Sequence, residues 1–130
     1  MKKLLIIDEE NSHSKFLKWI LNEEACKILT ATSFREALNL LRENLVHLIL
    51  LDLIMTNIDG FEILDYLKSD EKLREIPVIV VSTKNDRESI EASMRKGALD
   101  YIVKPYNPEV LRNKIAITLK IDLTTNMETN

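Results

Sequence analysis

Five short apolar runs punctuate the chain: Leu4 to Ile7, Lys27 to Ala31, Leu48 to Leu51, Val78 to Val81, and a weaker one at Tyr101 to Val103. Three of them are apolar without alternation, the pattern of strands covered on both faces in a parallel sheet. Between the runs, apolar residues recur at helical spacing. Ser33-Phe34-Arg35-Glu36 is a capping box, and Phe34, Ala37, Leu38 and Leu41 follow on one face, which predicts a helix. Ser12 or Ser14 is expected to open an earlier helix through Phe16, Leu17, Ile20 and Leu21, and Phe61 to Lys68 carries Ile63, Leu64 and Leu67. Asp86 to Lys96 ends at Gly97, as a helix closing on a glycine does. Asn107-Pro108 supplies a cap and a first-turn proline ahead of Val110, Leu111, Ile115, Leu119 and Ile121.

Strand thus alternates with helix five times over short connections. Right-handed crossovers then give an α/β fold: a doubly wound, five-stranded parallel sheet in the order 2-1-3-4-5, a flavodoxin-like (βα)5 three-layer sandwich. The domain is expected to span residues 1–121. Residues 122–130 are polar and lack an apolar period, so they read as a C-terminal tail or the start of a linker.

Composition narrows the function classes. A chain of 130 residues, 45% hydrophobic and 30% charged, suits one core, and no apolar run approaches the ~20 residues a membrane span needs. The apolar stretch before Asp8 is too short for a signal peptide. The single cysteine, Cys26, cannot form an internal disulfide and is expected in the core of a cytoplasmic protein. Net charge is −3 with both signs interspersed, which argues against direct nucleic-acid binding. With Gly60 and Gly97 the only glycines, a phosphate-cradling Gly-rich loop cannot be built.

In an open sheet of this order the functional crevice lies beyond the carboxyl ends of the strands, between strands 1 and 3. Asp8-Glu9, Asp52, Ser82-Thr83 and Lys104-Pro105 stand at those ends. An acid at one strand end is commonly a solvated loop residue or a helix cap, so the argument rests on the coincidence at four strands. Two carboxylates ~4 Å apart repel by about 4 kcal/mol at an effective dielectric near 20. The group therefore calls for positive charge, and a hard divalent ion such as Mg²⁺, with Lys104 beside it, suits an all-oxygen site open to water.

The segments Leu4-Leu5-Ile6-Ile7-Asp8-Glu9-Glu10, Leu51-Asp52-Leu53-Ile54-Met55 with Asp59-Gly60, Pro77 to Ser82, and Gly97 to Tyr106 resemble the receiver-domain pattern of bacterial two-component response regulators. The resemblance covers residues 3 to about 121 and is specific as a spaced set. It implies that Asp52 accepts a phosphoryl group from a sensor histidine kinase, a phosphotransfer protein or a small phosphodonor. Mg²⁺ would be held by Asp8, Glu9, Asp52 and the Ile54 backbone carbonyl. Lys104 and Ser82 would contact the phosphoryl oxygens, and Ser82 with Tyr101 would switch the face of helix 4, strand 5 and helix 5. The only enzymatic act implied is the domain's own phosphorylation and dephosphorylation. A cis Lys104-Pro105 bond is implied as well, with an effector protein or domain as partner and homodimerisation through the switching face.

The sequence departs from the pattern at Thr56, where proline is usual, at Glu9, where aspartate is commoner, at Thr83 for alanine and at Tyr106 for phenylalanine. Ile54, Thr83 and Lys84 near the pocket mouth are expected to modulate phosphate lifetime. Two other readings compete: a phosphorylation-independent binding module, and a small Mg²⁺-dependent phosphatase, which would want an Asp-x-Asp pair and a cap that the sequence lacks. His13 and His47 have no acidic or cysteine partner at ligand spacing and are expected at solvent or edge positions, without a role. Trp19 is expected half-buried at the edge of the first helix's apolar arc.

Overall fold

The structure is a computed structural model that describes residues 1–123. Strands and helices alternate as β1 (Lys2–Ile7), α1 (Asn11–Ile20), β2 (Cys26–Ala31), α2 (Phe34–Glu43), β3 (Leu48–Leu51), α3 (Gly60–Ser69), β4 (Val78–Ser82), α4 (Arg87–Arg95), β5 (Asp100–Val103) and α5 (Pro108–Leu119). All strand pairs are parallel and the order is β2-β1-β3-β4-β5, as the alternation implies.

Strand periodicity divides the core between the two faces of the sheet. Leu4, Ile6, Leu48, Leu50, Ile79 and Val81 point toward α1 and α5, where Leu17, Ile20, Leu111, Ile115 and Leu119 meet them. Leu5, Ile7, Ile49, Leu51, Val78 and Val80 point the other way, onto Ala37 and Leu41 of α2 and Ile63, Leu64 and Leu67 of α3. Because β1, β3 and β4 are covered twice, their sequences run apolar without a break.

Two helices begin on the caps expected: Ser33 accepts from the Glu36 amide and Asn107 from that of Glu109. Helix α4 starts at Arg87, with Asp86 as its cap accepting from the Ser89 amide. The first helix differs: its cap is Glu10, with no side-chain hydrogen bond, rather than Ser12 or Ser14. Ser14 instead lies buried within the helix, its hydroxyl without a partner among the described residues. Leu123 also packs into the α1–α5 side of the core; the rest of the expected tail, 124–130, lies outside the described residues. Cys26 is buried, as expected. Trp19 is 78% exposed, touching the ring of Phe16 alone among the described aromatics, because its position on α1 rotates it past the buried arc. Among the described residues no helix is long and apolar enough to cross a membrane.

Candidate functional site

The ladders that pair the strands run one residue past their ends, and those extra bonds fix the site. The Asp8 amide donates to the Ala31 carbonyl, and the Asp52 amide donates to the Ile7 carbonyl, both at 3.0 Å. Asp52 is thereby set beside Asp8 at the carboxyl edge of the central strands. The Lys104 amide donates to the Ser82 carbonyl at 2.9 Å, which sets Lys104 next to the end of β4. The Lys104–Pro105 peptide is cis.

Lys104 Nζ lies 3.0 Å from Asp8 Oδ2 and 2.9 Å from Asp52 Oδ2. One ammonium bridges two carboxylates whose side chains are 2% and 8% exposed. Burial opposes the charge on Asp8, but hydrogen bonds from His13, the Glu10 amide and Lys104 outweigh it and hold its pKa below the ordinary aspartate value. Burial likewise opposes the charge on Lys104, and its contacts with Asp52 and Asp8 outweigh that, raising its pKa. Asp52 Oδ1 also accepts from the Ile54 amide at 3.0 Å.

Glu9 is arranged differently. Its carboxylate accepts from both the amide and the hydroxyl of Thr56, the former at 2.6 Å, which lowers its pKa. The side chain is turned to the loop after β3, and among the described residues no three acidic, histidine or cysteine groups form a metal cluster. Ile54 is half-exposed at the rim, with Thr83 exposed and Lys84 partly so. Ser82 is fully buried, its hydroxyl accepting from the Lys84 amide at 3.3 Å. The Tyr101 hydroxyl donates to the Lys84 carbonyl at 2.6 Å, tying β5 to the loop after β4, and burial raises its pKa.

Sequence reasoning missed His13. The expectation of a solvent or edge position without an acidic partner is corrected: its side chain is 10% exposed and its Nδ1 lies 2.7 Å from Asp8 Oδ2. Asp8 follows β1 and His13 lies in the first turn of α1, and a search limited to metal-ligand spacing does not test a contact between a strand end and the helix that follows. His47 lies at the amino end of the central strand β3, where its Nδ1 accepts from the Lys3 amide at 3.0 Å.

The family description "Response regulator receiver domain" matches residues 4–116, most of the chain. The protein belongs to the response regulator receiver domain family. Among curated relatives, this receiver domain is 32% identical over 120 residues to the transcriptional regulatory protein AfsQ1 of Streptomyces coelicolor, covering 92% of this chain and 52% of that protein. It is 36% identical over 107 residues to the response regulator GtcR of Aneurinibacillus migulanus, covering 82% and 43%. The chain therefore spans about half the length of the curated relatives it matches. A two-component response regulator from Clostridium difficile superposes with a TM-score of 0.84 at 28% identity, over 92% of this chain and 97% of that one. The receiver domain of a DNA-binding response regulator from Colwellia psychrerythraea gives 0.86 at 25% identity, over 92% and 99%.

Proposed function

We propose that the protein is a phosphoacceptor switch in which Asp52 takes a phosphoryl group from a histidine kinase, a phosphotransfer protein or a small phosphodonor. The observation that carries this reading is the Lys104 ammonium shared between Asp8 and Asp52, which puts a nucleophile, a second acid and a cation at one open edge of the sheet. A carboxylate oxygen of Asp52 attacks the phosphorus in line, the bond to the donor's leaving group breaks, and an acyl phosphate results.

The donor set suits Mg²⁺. Asp8, Asp52 and the Ile54 carbonyl offer hard oxygens beneath a rim that Ile54 opens to water, and two buried carboxylates with one compensating lysine leave negative charge to be met. Asp8 and Asp52 with the Ile54 carbonyl would hold the ion, and Glu9 would join them on releasing Thr56. Bound there, the ion offsets the charge that gathers on the transferring phosphoryl oxygens. Lys104 is the cation that leaves one carboxylate to meet the incoming phosphoryl group, and Ser82 reaches those oxygens by turning its hydroxyl out of the core. Its movement draws on the β4–α4 loop, to which Tyr101 is already bonded, and so couples the site to β5 and the flanking helices. That coupling supports a switch over a binding module that works without phosphorylation.

Intact-mass measurement after incubation with acetyl phosphate and Mg²⁺ tests the reading. One added phosphoryl group on the wild type and none on Asp52→Asn is the expected result. Equal phosphorylation of the variant would remove Asp52 from its role.

A further inference from the structure

His13 joins two short hydrogen bonds across the floor of the site. Its Nδ1 lies 2.7 Å from Asp8 Oδ2 and its Nε2 lies 2.7 Å from the Tyr106 hydroxyl. The two rings meet edge to face, with centroids 5.7 Å apart at 75°, and Phe16 packs against Tyr106 from α1. An ionised carboxylate only accepts, so Nδ1 carries a hydrogen toward Asp8. Burial, and then the charge of Asp8, push the Tyr106 pKa upward, so its hydroxyl keeps the proton. In the neutral ring that proton points at Nε2, and the donors run in series from Tyr106 through His13 to Asp8.

The acceptor positions on Asp8 give this chain a consequence. Oδ2 receives His13 and Lys104, and Oδ1 receives the Glu10 amide at 2.8 Å. A carboxylate oxygen has room for two donors, so Oδ2 is filled while Oδ1 keeps one acceptor position. Remove His13 and Oδ2 keeps only the mobile Lys104 ammonium, so the carboxylate loses the shortest of the three bonds that hold its rotation.

We propose that His13 is a positioning residue that orients Asp8 toward the divalent ion, with Tyr106 holding the histidine ring. The inference rests on the Mg²⁺ site proposed above. Partners of ligating side chains act in this way, and their loss weakens metal binding without removing a ligand.

Titration calorimetry of Mg²⁺ into the unphosphorylated full chain tests it without reference to phosphoryl transfer. His13→Leu is expected to raise the Mg²⁺ Kd about tenfold. His13→Asn, whose amide nitrogen stands near the place of Nδ1, is expected to recover most of that loss. Tyr106→Phe weakens binding about threefold in the wild type and adds nothing to His13→Leu, because the tyrosine acts through the ring. Wild-type affinity in His13→Leu, or the same Tyr106→Phe factor in both backgrounds, overturns the inference alone. Absence of Mg²⁺ binding by the wild type overturns the metal site and the inference together. Should His13→Leu fail to fold, the cycle is run in His13→Asn, which cannot span to Tyr106; an undiminished tyrosine effect there is again the overturning result.

Discussion

Thr56 holds Glu9 by two hydrogen bonds at once, one from its amide and one from its hydroxyl. Proline, usual at this place in the pattern the sequence resembles, has neither group. Thr56→Pro therefore frees the Glu9 carboxylate to turn toward Asp8 and Asp52. Mg²⁺ binding to the unphosphorylated protein is expected to tighten about threefold, a modest gain because exposed bonds to a charged group contribute little net. Thr56→Val, which keeps the amide, should give a smaller change. Weaker binding in Thr56→Pro would mean that threonine supports Glu9 as a ligand instead of detaining it.

The two glycines make opposite demands. A Cβ on Gly60 would stand 2.3 Å from the Leu53 Cα and 2.7 Å from its carbonyl oxygen, where the Gly60 amide also donates to that oxygen. Backbone cannot step aside, and the segment involved is the loop that follows Asp52. Gly60→Ala should cost about 3 kcal/mol in chemical denaturation and displace this loop. At Gly97 the neighbour is the Lys68 stem, 3.2 Å from such a Cβ and anchored by its ammonium on the Arg74 and Ile76 carbonyls, and the larger difficulty is a φ of +106°. Gly97→Ala should cost about 1 kcal/mol, from backbone strain. Equal losses at the two sites would contradict this division.

Most of the architecture was legible because it follows from local rules. Unbroken apolar runs at Leu48–Leu51 and Val78–Val81 mark strands covered twice, and Ser33 and Asn107 announce their helices. The convergence of Asp8, Asp52, Ser82 and Lys104 follows from strand order, since every parallel strand delivers its carboxyl end to the same edge. What the sequence withheld lies in side-chain direction. Nothing local shows that Glu9 turns to Thr56, that His13 reaches back to Asp8, or that Trp19 rotates out to solvent, because each depends on how α1 and the β3–α3 loop settle on the sheet.

Tyr101 ends in a hydroxyl that donates to the Lys84 carbonyl at 2.6 Å. Tyr101→Phe deletes that bond and leaves the ring in the core, for an expected loss of about 1 kcal/mol in thermal unfolding. Hydrogen exchange should quicken at Lys84 and Asn85, while β1 and β3 remain protected. If exchange in the β4–α4 loop is unchanged, the tyrosine does not restrain that loop and its part in the switch fails.

Helix α4 meets the core chiefly through Ser89 and Ser93, whose small polar side chains bury little apolar area, so its N-terminal cap matters more than usual. The Asp86 carboxylate accepts from the Ser89 hydroxyl at 2.9 Å and from its amide at 3.0 Å, and these bonds lower its pKa from the ordinary 3.8. A depressed folded-state value means that the stabilisation is complete above the unfolded pKa and is lost as pH falls through the folded one. Amides in the first turn of α4 should therefore lose protection as pH drops below about 4, before those of β1 and β3 do. Asp86→Asn keeps a capping oxygen without a titrating group, and should flatten this dependence over the same range. Protection lost identically in the wild type and in Asp86→Asn would show that the cap does not govern the helix.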